Sequence, residues 1–166
     1  MLLHSFPPIV DNNSGILILG SMPGKKSLEM QEYYAHKQNS FWRILYSMFE
    51  TDYSECYKEK IRLLKIQGIA LWDTLNACER EGSSDASIIK EIPNDFKSFF
   101  LSYPKIRHVF FNGKGANHFF CKHFKPDNRL KYLTLPSTSP AHARLSFAEK
   151  LKQWSVIKEI LKEQNE

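Results

Sequence analysis

The stretch "GILILGSMPGKKS", residues 15–27, is the clearest indication of the fold class, because a continuous apolar run ends abruptly in glycine, proline and lysine. Three similar apolar runs follow along the chain: "GIALW" at 68–72, "IRHVFF" at 106–111 and "KYLTL" at 131–135. The runs are near-continuous rather than alternating, which is typical of strands buried on both faces of a parallel sheet. They therefore predict a central, mainly four-stranded parallel sheet.

Helical patterns fill the segments between these runs. Ser40 is a candidate N-cap for one helix, and Ser54 begins a second one. Pro93 opens a third helix, a fourth follows the third apolar run, and the last starts at a capping box of Ser146 and Glu149. Because strand and helix alternate, the sequence predicts a three-layer α/β/α fold.

The length and charge of the chain set broad limits on its class. With 166 residues, it is expected to form one domain over 1–166 with a substantial core. The formal net charge of +5 permits an anionic partner but does not by itself identify one.

The cysteines argue against a metal or disulfide scaffold. Cys56, Cys78 and Cys121 are scattered and form no C-x-x-C pair, so we expect reduced thiols in the cytoplasm and no iron–sulfur cluster. His118 and His123 flank Cys121, but a solvated helix face explains this spacing better than a metal site does. We see neither a signal peptide nor an apolar run of membrane-spanning length.

Small, polar or basic residues follow every predicted strand. In a parallel sheet, ligands bind outside the carboxyl ends of the strands. The four segments there are "GSMPGKKS", "DTLNACEREGSSDAS", "NGKG" and "PSTSPAHAR". None has the spacing of a Walker loop or of G-x-G-x-x-G. Backbone N–H groups, hydroxyls and lysines bind phosphates, so this edge suits a phosphodiester chain.

Simpler structural readings stay open for several of these residues. Phe41 and Trp42 have the helical spacing of core residues, and "SSDAS" is typical of an N-cap cluster. Asp73 and Glu79 could act as a carboxylate pair, but nothing in their spacing requires it. From the residues alone, the sequence indicates a ligand-binding edge and no particular reaction.

Five strings together resemble the uracil-DNA glycosylase superfamily, and most closely its hypoxanthine-DNA glycosylase branch. They are "LILGSMPGKKSL", "YYAHKQNSFWRIL", "ALWDTLNACEREGSSDASI", "VFFNGKG" and "LPSTSPAHA", in matching order between about Gly15 and Trp154. The resemblance implies a monofunctional enzyme that flips a damaged nucleotide out of DNA and cleaves its N-glycosidic bond with water. It implies no metal or organic cofactor and a DNA partner containing deaminated bases. We further expect a monomer, as the default, and a bacterial-type cytoplasmic location.

The resemblance assigns the base pocket to residues near the first strand. The first superfamily motif matches "GSMPG", which places Gly20, Ser21 and Met22 against the base. Uracil-specific branches carry Asp or Asn at the position of Met22 to orient the water, and methionine has no group for that task. By this resemblance, the water-positioning role falls to Asn39, and Tyr34 is the aromatic residue that stacks on the flipped base.

The later motifs are assigned to the base edge and to phosphates. Asn112 is the expected second amide, which reads a base edge or supports the site, and Lys114 is a phosphate candidate. The second superfamily motif matches Ser137, Thr138 and Ser139, which would clamp the phosphates around the flipped nucleotide.

Two departures from the family pattern concern the base and the wedge. Leu135 stands where the second motif usually has His or Asn, which argues against uracil and suits a purine. Protonation of the purine at N7, or a hydrogen bond to it, can assist its departure, but the sequence names no donor. Ala141, His142 and Arg144 are candidates for phosphate contact or for the wedge that enters the duplex.

Two alternatives remain beside the hypoxanthine enzyme. One is a mismatch-type uracil or thymine glycosylase with the same fold. The other is a nucleic-acid-binding relative that lost catalysis when position 22 became methionine. A phosphoryl-transfer enzyme is disfavoured, because both the phosphate loop and a carboxylate cluster for Mg²⁺ are missing.

Overall fold

The computed structural model describes all of residues 1–166 and contains seven strands and seven helices. The strands are β1 (Leu2–His4), β2 (Ile16–Gly20), β3 (Ile69–Asp73), β4 (Leu75–Glu79), β5 (Ile89–Pro93), β6 (His108–Asn112) and β7 (Lys131–Leu135). The helices are α1 (Lys25–Met30), α2 (Phe41–Met48), α3 (Tyr57–Gln67), α4 (Phe96–Ser102), α5 (Lys114–His123), α6 (Phe147–Trp154) and α7 (Val156–Gln164). No helix is long and apolar enough to span a membrane.

The four predicted strands form one parallel sheet with helices on both faces. Its strand order is β3-β2-β6-β7, and every neighbouring pair is parallel. Along β2, Ile16 and Ile18 join the core beneath α2, α3, α6 and α7, whereas Leu17 and Leu19 join the core beneath α4 and α5. The continuous apolar run thus supplies both cores, and the α/β/α fold is confirmed.

The register of the sheet brings the carboxyl ends of its strands to one edge. Gly20 at the end of β2 pairs with Asp73 at the end of β3. On the other side, Asn112 at the end of β6 pairs with Leu135 at the end of β7. The segments that follow these residues therefore surround a common space.

A second, antiparallel sheet was not predicted. It has the order β1-β4-β5, and Thr74 alone separates β3 from β4. The sequence pattern shows only a mostly polar segment after β3, but Leu75, Ala77 and Cys78 are buried within β4. The pattern is hidden because β4 and β5 are irregularly paired and β5 is largely exposed.

The helix after this sheet starts later than expected. Pro93 does not open it; instead Pro93 ends β5 and pairs with Leu75. The helix begins at Phe96, because the carboxylate of Asp95 accepts a hydrogen bond from the backbone N–H of Ser98 at 3.1 Å. Proline at the end of an outer strand gives up no ladder bond, which is where strands tolerate it.

The last helix is confirmed at its start and interrupted in its middle. Ser146 Oγ accepts from the backbone N–H of Glu149 at 3.2 Å, which is the N-cap bond of the capping box, and it donates to the Glu149 carboxylate at 3.1 Å. The chain then breaks into α6 and α7 at Ser155, whose hydroxyl donates to the carbonyl of Leu151 at 2.7 Å. Such a bond to the preceding turn is a known cause of helix bending.

Candidate active site

A cavity of about 630 Å³ opens at the carboxyl ends of the parallel strands. This volume lies within the range of about 300–1,000 Å³ that is common for ligand sites. Ten of the residues expected at the base or the phosphates line it: Gly20, Ser21, Met22, Tyr34, Asn39, Asn112, Ser137, Thr138, Ser139 and His142. The wedge candidate Ala141 lines it as well. Lys114 and Arg144 are exposed and do not line this cavity.

Gly20 allows two polar side chains to approach the end of β2. A Cβ atom at this position would lie 2.5 Å from Asp73 Oδ1 and 2.8 Å from the hydroxyl of Tyr34. Both distances are below any ordinary van der Waals contact, so a side chain here would displace one of the two groups. Glycine is therefore required for close approach, which gives the first motif a structural reason.

Asp73 is a buried carboxyl group in the wall of the cavity. Asp73 is 3% exposed, and its Oδ2 has no hydrogen-bond partner within the protein. Burial, and to a smaller extent the negative charge of Asp85, raise the pKa of Asp73 to about 7 against the opposing positive charge of Arg80. This carboxyl group was not assigned to the site from the sequence. Its position directly after the second apolar run was the signal that pointed to it.

Tyr34 lies between the core and the cavity. Its ring stacks on that of Phe41 with centroids 4.1 Å apart, and its backbone adopts the left-handed conformation with φ 54°. Burial raises the pKa of the Tyr34 hydroxyl well above its usual range, so the hydroxyl stays neutral. One face of the ring is thus occupied by Phe41, and the residue lines the pocket while belonging partly to the core.

Asn39 is held at the start of α2 by its own backbone contacts. Its side-chain oxygen accepts from the backbone N–H of Phe41 at 3.0 Å, and the backbone N–H of Asn39 donates to the carbonyl of His36 at 2.9 Å. Ser40, which we expected to cap α2, has its hydroxyl directed to the carbonyl of Thr138 instead. The Asn39 side chain therefore satisfies the first N–H of α2 from the residue before the N-cap, and it has a fixed orientation in the cavity wall.

Asn112 and Thr138 form a reciprocal pair. The Asn112 amide nitrogen donates to Thr138 Oγ1 at 2.9 Å, and its oxygen accepts from the Thr138 backbone N–H at 3.0 Å. The carbonyl of Thr138 in turn accepts from the backbone N–H of Ser40 at 3.1 Å. Since Thr138 is 1% exposed, its hydroxyl braces the loop rather than facing solvent as a phosphate ligand would. Of the two roles expected for Asn112, these contacts favour support of the site.

The hydroxyls on either side of Thr138 remain available. Ser137 Oγ accepts from the backbone N–H of Ser139 at 3.2 Å, and Ser139 Oγ accepts from that of Ala141 at 3.2 Å. Each hydroxyl keeps its proton free to donate. Gly113, with φ 91°, lets this loop pack closely, because a Cβ there would lie 3.0 Å from Ser137 Cβ.

Met22 and Leu135 contribute apolar surface and no chemistry. Met22 packs in a small core with Cys78 and Phe119 while lining the cavity. Leu135 is buried in the main core and does not line the cavity. The two positions at which the family's uracil enzymes carry polar groups are therefore apolar in the folded structure as well.

The segment after β4 closes one side of the cavity. Ser83 Oγ accepts from the backbone N–H of Lys25, and Ser84 Oγ caps the short 3-10 turn, as the N-cap interpretation of this cluster predicted. Asp85 accepts from the hydroxyl of Ser21 at 2.6 Å and lies against Gly115 at the start of α5. Its carboxylate therefore lines the cavity, a role that sequence reasoning missed.

The charge around the cavity is divided by depth. Asp73 is buried in its wall, whereas Lys25 and Lys26 are exposed at its edge. His36 and His142 also lie on the lining. Basic groups at the edge suit an anionic backbone, while the one buried carboxyl group, that of Asp73, is left to face an uncharged ligand. No three His, Cys, Asp or Glu side chains come together in a metal-binding arrangement.

Comparison with known proteins identifies the family of this fold and site. The family model of the uracil DNA glycosylase superfamily matches residues 7–160. The chain belongs to the uracil DNA glycosylase superfamily. The match extends slightly beyond both ends of the region in which the sequence motifs resemble that superfamily.

Relatives within the uracil DNA glycosylase superfamily cover most of the chain. A protein from Methanosarcina acetivorans named hypoxanthine DNA glycosylase is 37% identical over 161 residues, which are 95% of this chain and 98% of the relative. One of the same name from Methanosarcina barkeri is 39% identical over 120 residues, covering 72% of this chain and 76% of the relative. A solution NMR structure of a candidate uracil DNA glycosylase from M. acetivorans superposes with a TM-score of 0.81 at 33% identity, covering 98% and 99% of the two chains.

Proposed function

We propose that this DNA glycosylase removes deaminated bases from DNA, with hypoxanthine preferred, as a step of base excision repair. The nucleotide is flipped into the cavity, and its N-glycosidic bond is hydrolysed by a water that Asn39 positions. The observation that carries the proposal is the 37–39% identity to two relatives named hypoxanthine DNA glycosylase. The pocket supports it, because Met22, at a position that is polar in uracil enzymes, lines the cavity with an apolar side chain, and Leu135, at the second such position, is buried in the core.

The orientation of Asn39 supports its role in positioning water. Its side-chain oxygen uses one lone pair on the N–H of Phe41, so the second lone pair can accept from a water in the cavity. An amide is not a base, but the departing base leaves the sugar cation-like, and such a reaction needs an oriented nucleophile more than proton abstraction. Asn39 then acts through position alone.

The edge of the cavity supports a grip on the DNA backbone. Ser137 and Ser139 present hydroxyl protons, and Lys25 and Lys26 add positive charge at the same opening. Flipping a nucleotide requires unpairing and unstacking energy, which contacts to the flanking phosphates offset. Of the wedge candidates, Ala141 and His142 lie on the same lining and Arg144 lies outside it, and His142 is preferred over Ala141 because its side chain is large enough to fill the gap in the duplex.

Uracil is the second candidate substrate. It is favoured by the name of the solved structure, a candidate uracil DNA glycosylase, which this chain matches over nearly its full length. A uracil enzyme of this pocket would have to hold the base without a polar group at Met22 or Leu135. We therefore place uracil after hypoxanthine.

A lesion panel tests the proposal. The purified protein is incubated with duplexes that carry one inosine, one uracil or one T·G mispair, with EDTA present, and alkali then cleaves any abasic site. We expect product mainly at inosine. Asn39→Ala should abolish product while retaining binding to the inosine duplex, and Asn128→Ala, which removes an exposed amide outside the cavity, should behave as wild type. No product at any lesion would overturn the proposal, and product chiefly at uracil would replace its substrate.

A further inference from the structure

The cavity wall contains a buried carboxyl group for which the water-positioning mechanism has no use. Asp73 is buried, its Oδ1 lies beside Gly20 at the end of β2, and its Oδ2 has no partner. A buried carboxyl oxygen without a hydrogen bond lowers the stability of the folded protein. Such a group is retained where it has a function, so its presence calls for one. The proposed reaction lacks a group that assists the departure of the purine. The inference below rests on the proposed function and deepens it.

The groups that surround Asp73 favour its protonated form. The neutral hydroxyl of Tyr34 is its neighbour at Gly20, and the hydroxyl of Tyr33 is directed away to the carbonyl of Pro7. Asp85 adds a negative charge across the cavity. With its pKa near 7, Asp73 carries a proton in a large share of molecules at neutral pH.

The cations near Asp73 are engaged elsewhere or lie farther out. Arg80 donates to the carbonyls of Pro23 and Gly82 and makes no bond to Asp73. Lys25 and Lys26 are exposed at the edge of the cavity, on which His36 and His142 also lie. Asp73 therefore has no ion-pair partner that would hold it as a carboxylate.

We propose that Asp73 is the general acid of the reaction and donates its proton to the N7 ring nitrogen of the departing purine. A neutral carboxylic acid offers one O–H donor, and Oδ1, which lies beside Gly20 in the cavity lining, is the oxygen placed to carry it. N7 is an acceptor in hypoxanthine. Protonation there withdraws electrons from the glycosidic bond and lets the base leave uncharged.

The step balances as a hydrolysis. The C1′–N9 bond breaks, its electron pair stays on N9, and the proton of Asp73 moves to N7, which leaves Asp73 as a carboxylate. Water adds its oxygen to C1′ and releases a proton to solvent, from which Asp73 is protonated again. The products are an abasic site and neutral hypoxanthine.

The test is single-turnover excision of inosine by wild type and Asp73→Asn between pH 5.5 and 8.5. An amide keeps the shape of Asp73 and can donate a hydrogen bond, but it cannot transfer a proton. We expect the wild-type rate to fall as pH rises through about 7, because only the protonated form acts. Asp73→Asn should be slower by about 100-fold or more at pH 6 and should lose this descending limb.

Matched variants separate a chemical role from a structural one. Asp127→Asn makes the same change at a carboxylate paired with Arg129 outside the cavity, and it should leave rate and pH profile unchanged. Asp85→Asn removes a charge that raises the pKa of Asp73, so the midpoint of the descending limb should move to lower pH. Binding of Asp73→Asn to a duplex with non-hydrolysable 2′-fluoro-inosine should stay within threefold of wild type.

The outcomes distinguish the inference from the function on which it depends. Inosine excision by wild type, with Asp73→Asn within threefold of it and an unchanged pH profile, would overturn the inference and leave the proposed function intact. An unmoved midpoint in Asp85→Asn would likewise show that the limb does not report Asp73. Absence of wild-type excision would overturn the proposed function, and the inference with it.

Discussion

At the residue scale, Asp73 makes the stability of the protein depend on pH. An unfolded aspartate titrates near pH 4, whereas the pKa of Asp73 in the folded chain is about 7. Between these values the folded protein holds a proton that the unfolded chain has released. Stability from this group is therefore complete below about pH 4, falls as pH rises to about 7, and is constant above that.

Asp73→Asn is expected to stabilise the protein at alkaline pH. At pH 8 the variant should be more stable than wild type by a few kcal/mol, since each unit of pKa difference between the folded and unfolded chain is worth about 1.4 kcal/mol. At pH 4 the two should be nearly equal. Urea unfolding at both pH values measures this, and equal stability at pH 8 would mean that the carboxyl group is not strained by burial.

Gly20 determines whether Asp73 and Tyr34 can occupy their places. Gly20→Ala puts a Cβ atom 2.5 Å from Asp73 Oδ1 and 2.8 Å from the Tyr34 hydroxyl, so these groups must shift. We expect a loss of inosine excision of at least tenfold, because a misplacement of about 1 Å in a site is enough for such losses. Single-turnover rates measure the effect.

Gly15 provides the control for Gly20. It lies just before β2, at the opposite end from Gly20, and a Cβ there would meet chiefly the flexible side-chain amide of Gln164. Gly15→Ala should keep the wild-type excision rate. A loss of activity in both variants would indicate damage to β2 rather than to the site.

At the scale of elements, helix α6 depends on its capping box. Ser146→Ala removes both hydrogen bonds with Glu149 and should destabilise the protein by about 1 kcal/mol. Excision by the folded protein should not change, because Ser146 does not line the cavity. Thermal unfolding measures the loss, and Ser47→Ala, at an exposed position inside α2, should show none. A drop of equal size in both would argue against the cap.

The helices and strands differ in how well they could be predicted from the sequence. The N-cap serine of α6 was predictable because local spacing and side-chain preference determine it. The antiparallel sheet was missed because β4 starts one residue after β3 and its pairing with β1 joins segments more than 70 residues apart. Helix α1 was also missed, since the side chain that bonds to its first N–H comes from Ser83.

At the scale of the whole molecule, positive charge should make DNA binding sensitive to salt. The net charge is +5, and Lys25 and Lys26 stand at the opening of the cavity. If each contacts a phosphate, replacing both by Ala should lower the affinity for DNA. The negative slope of log K against log salt should become shallower by about 2. Replacing Lys58 and Lys65, exposed lysines of α3 outside the cavity, should change the slope less. Equal effects from both pairs would mean that the charge acts without a defined contact.

The parallel sheet, and the edge at which the site lies, could both be predicted from the amino-acid sequence. Apolar runs that end in small and polar residues need no partner to be recognised, and parallel strands carry their ligands at their carboxyl ends. Resemblance to the superfamily then supplied the expected site residues, ten of which line one cavity.

The chemical environment of the side chains at that edge could be seen only in the folded structure. The environment of Asp73 comes from Gly20, Tyr34 and Asp85, which are distant from it in the chain or belong to other elements. The brace between Asn112 and Thr138 spans 26 residues in the same way. A pKa depends on burial and on charges in space, and a hydrogen bond depends on distances between atoms. Neither quantity exists until the strands have paired, so spacing along the chain could not reveal them.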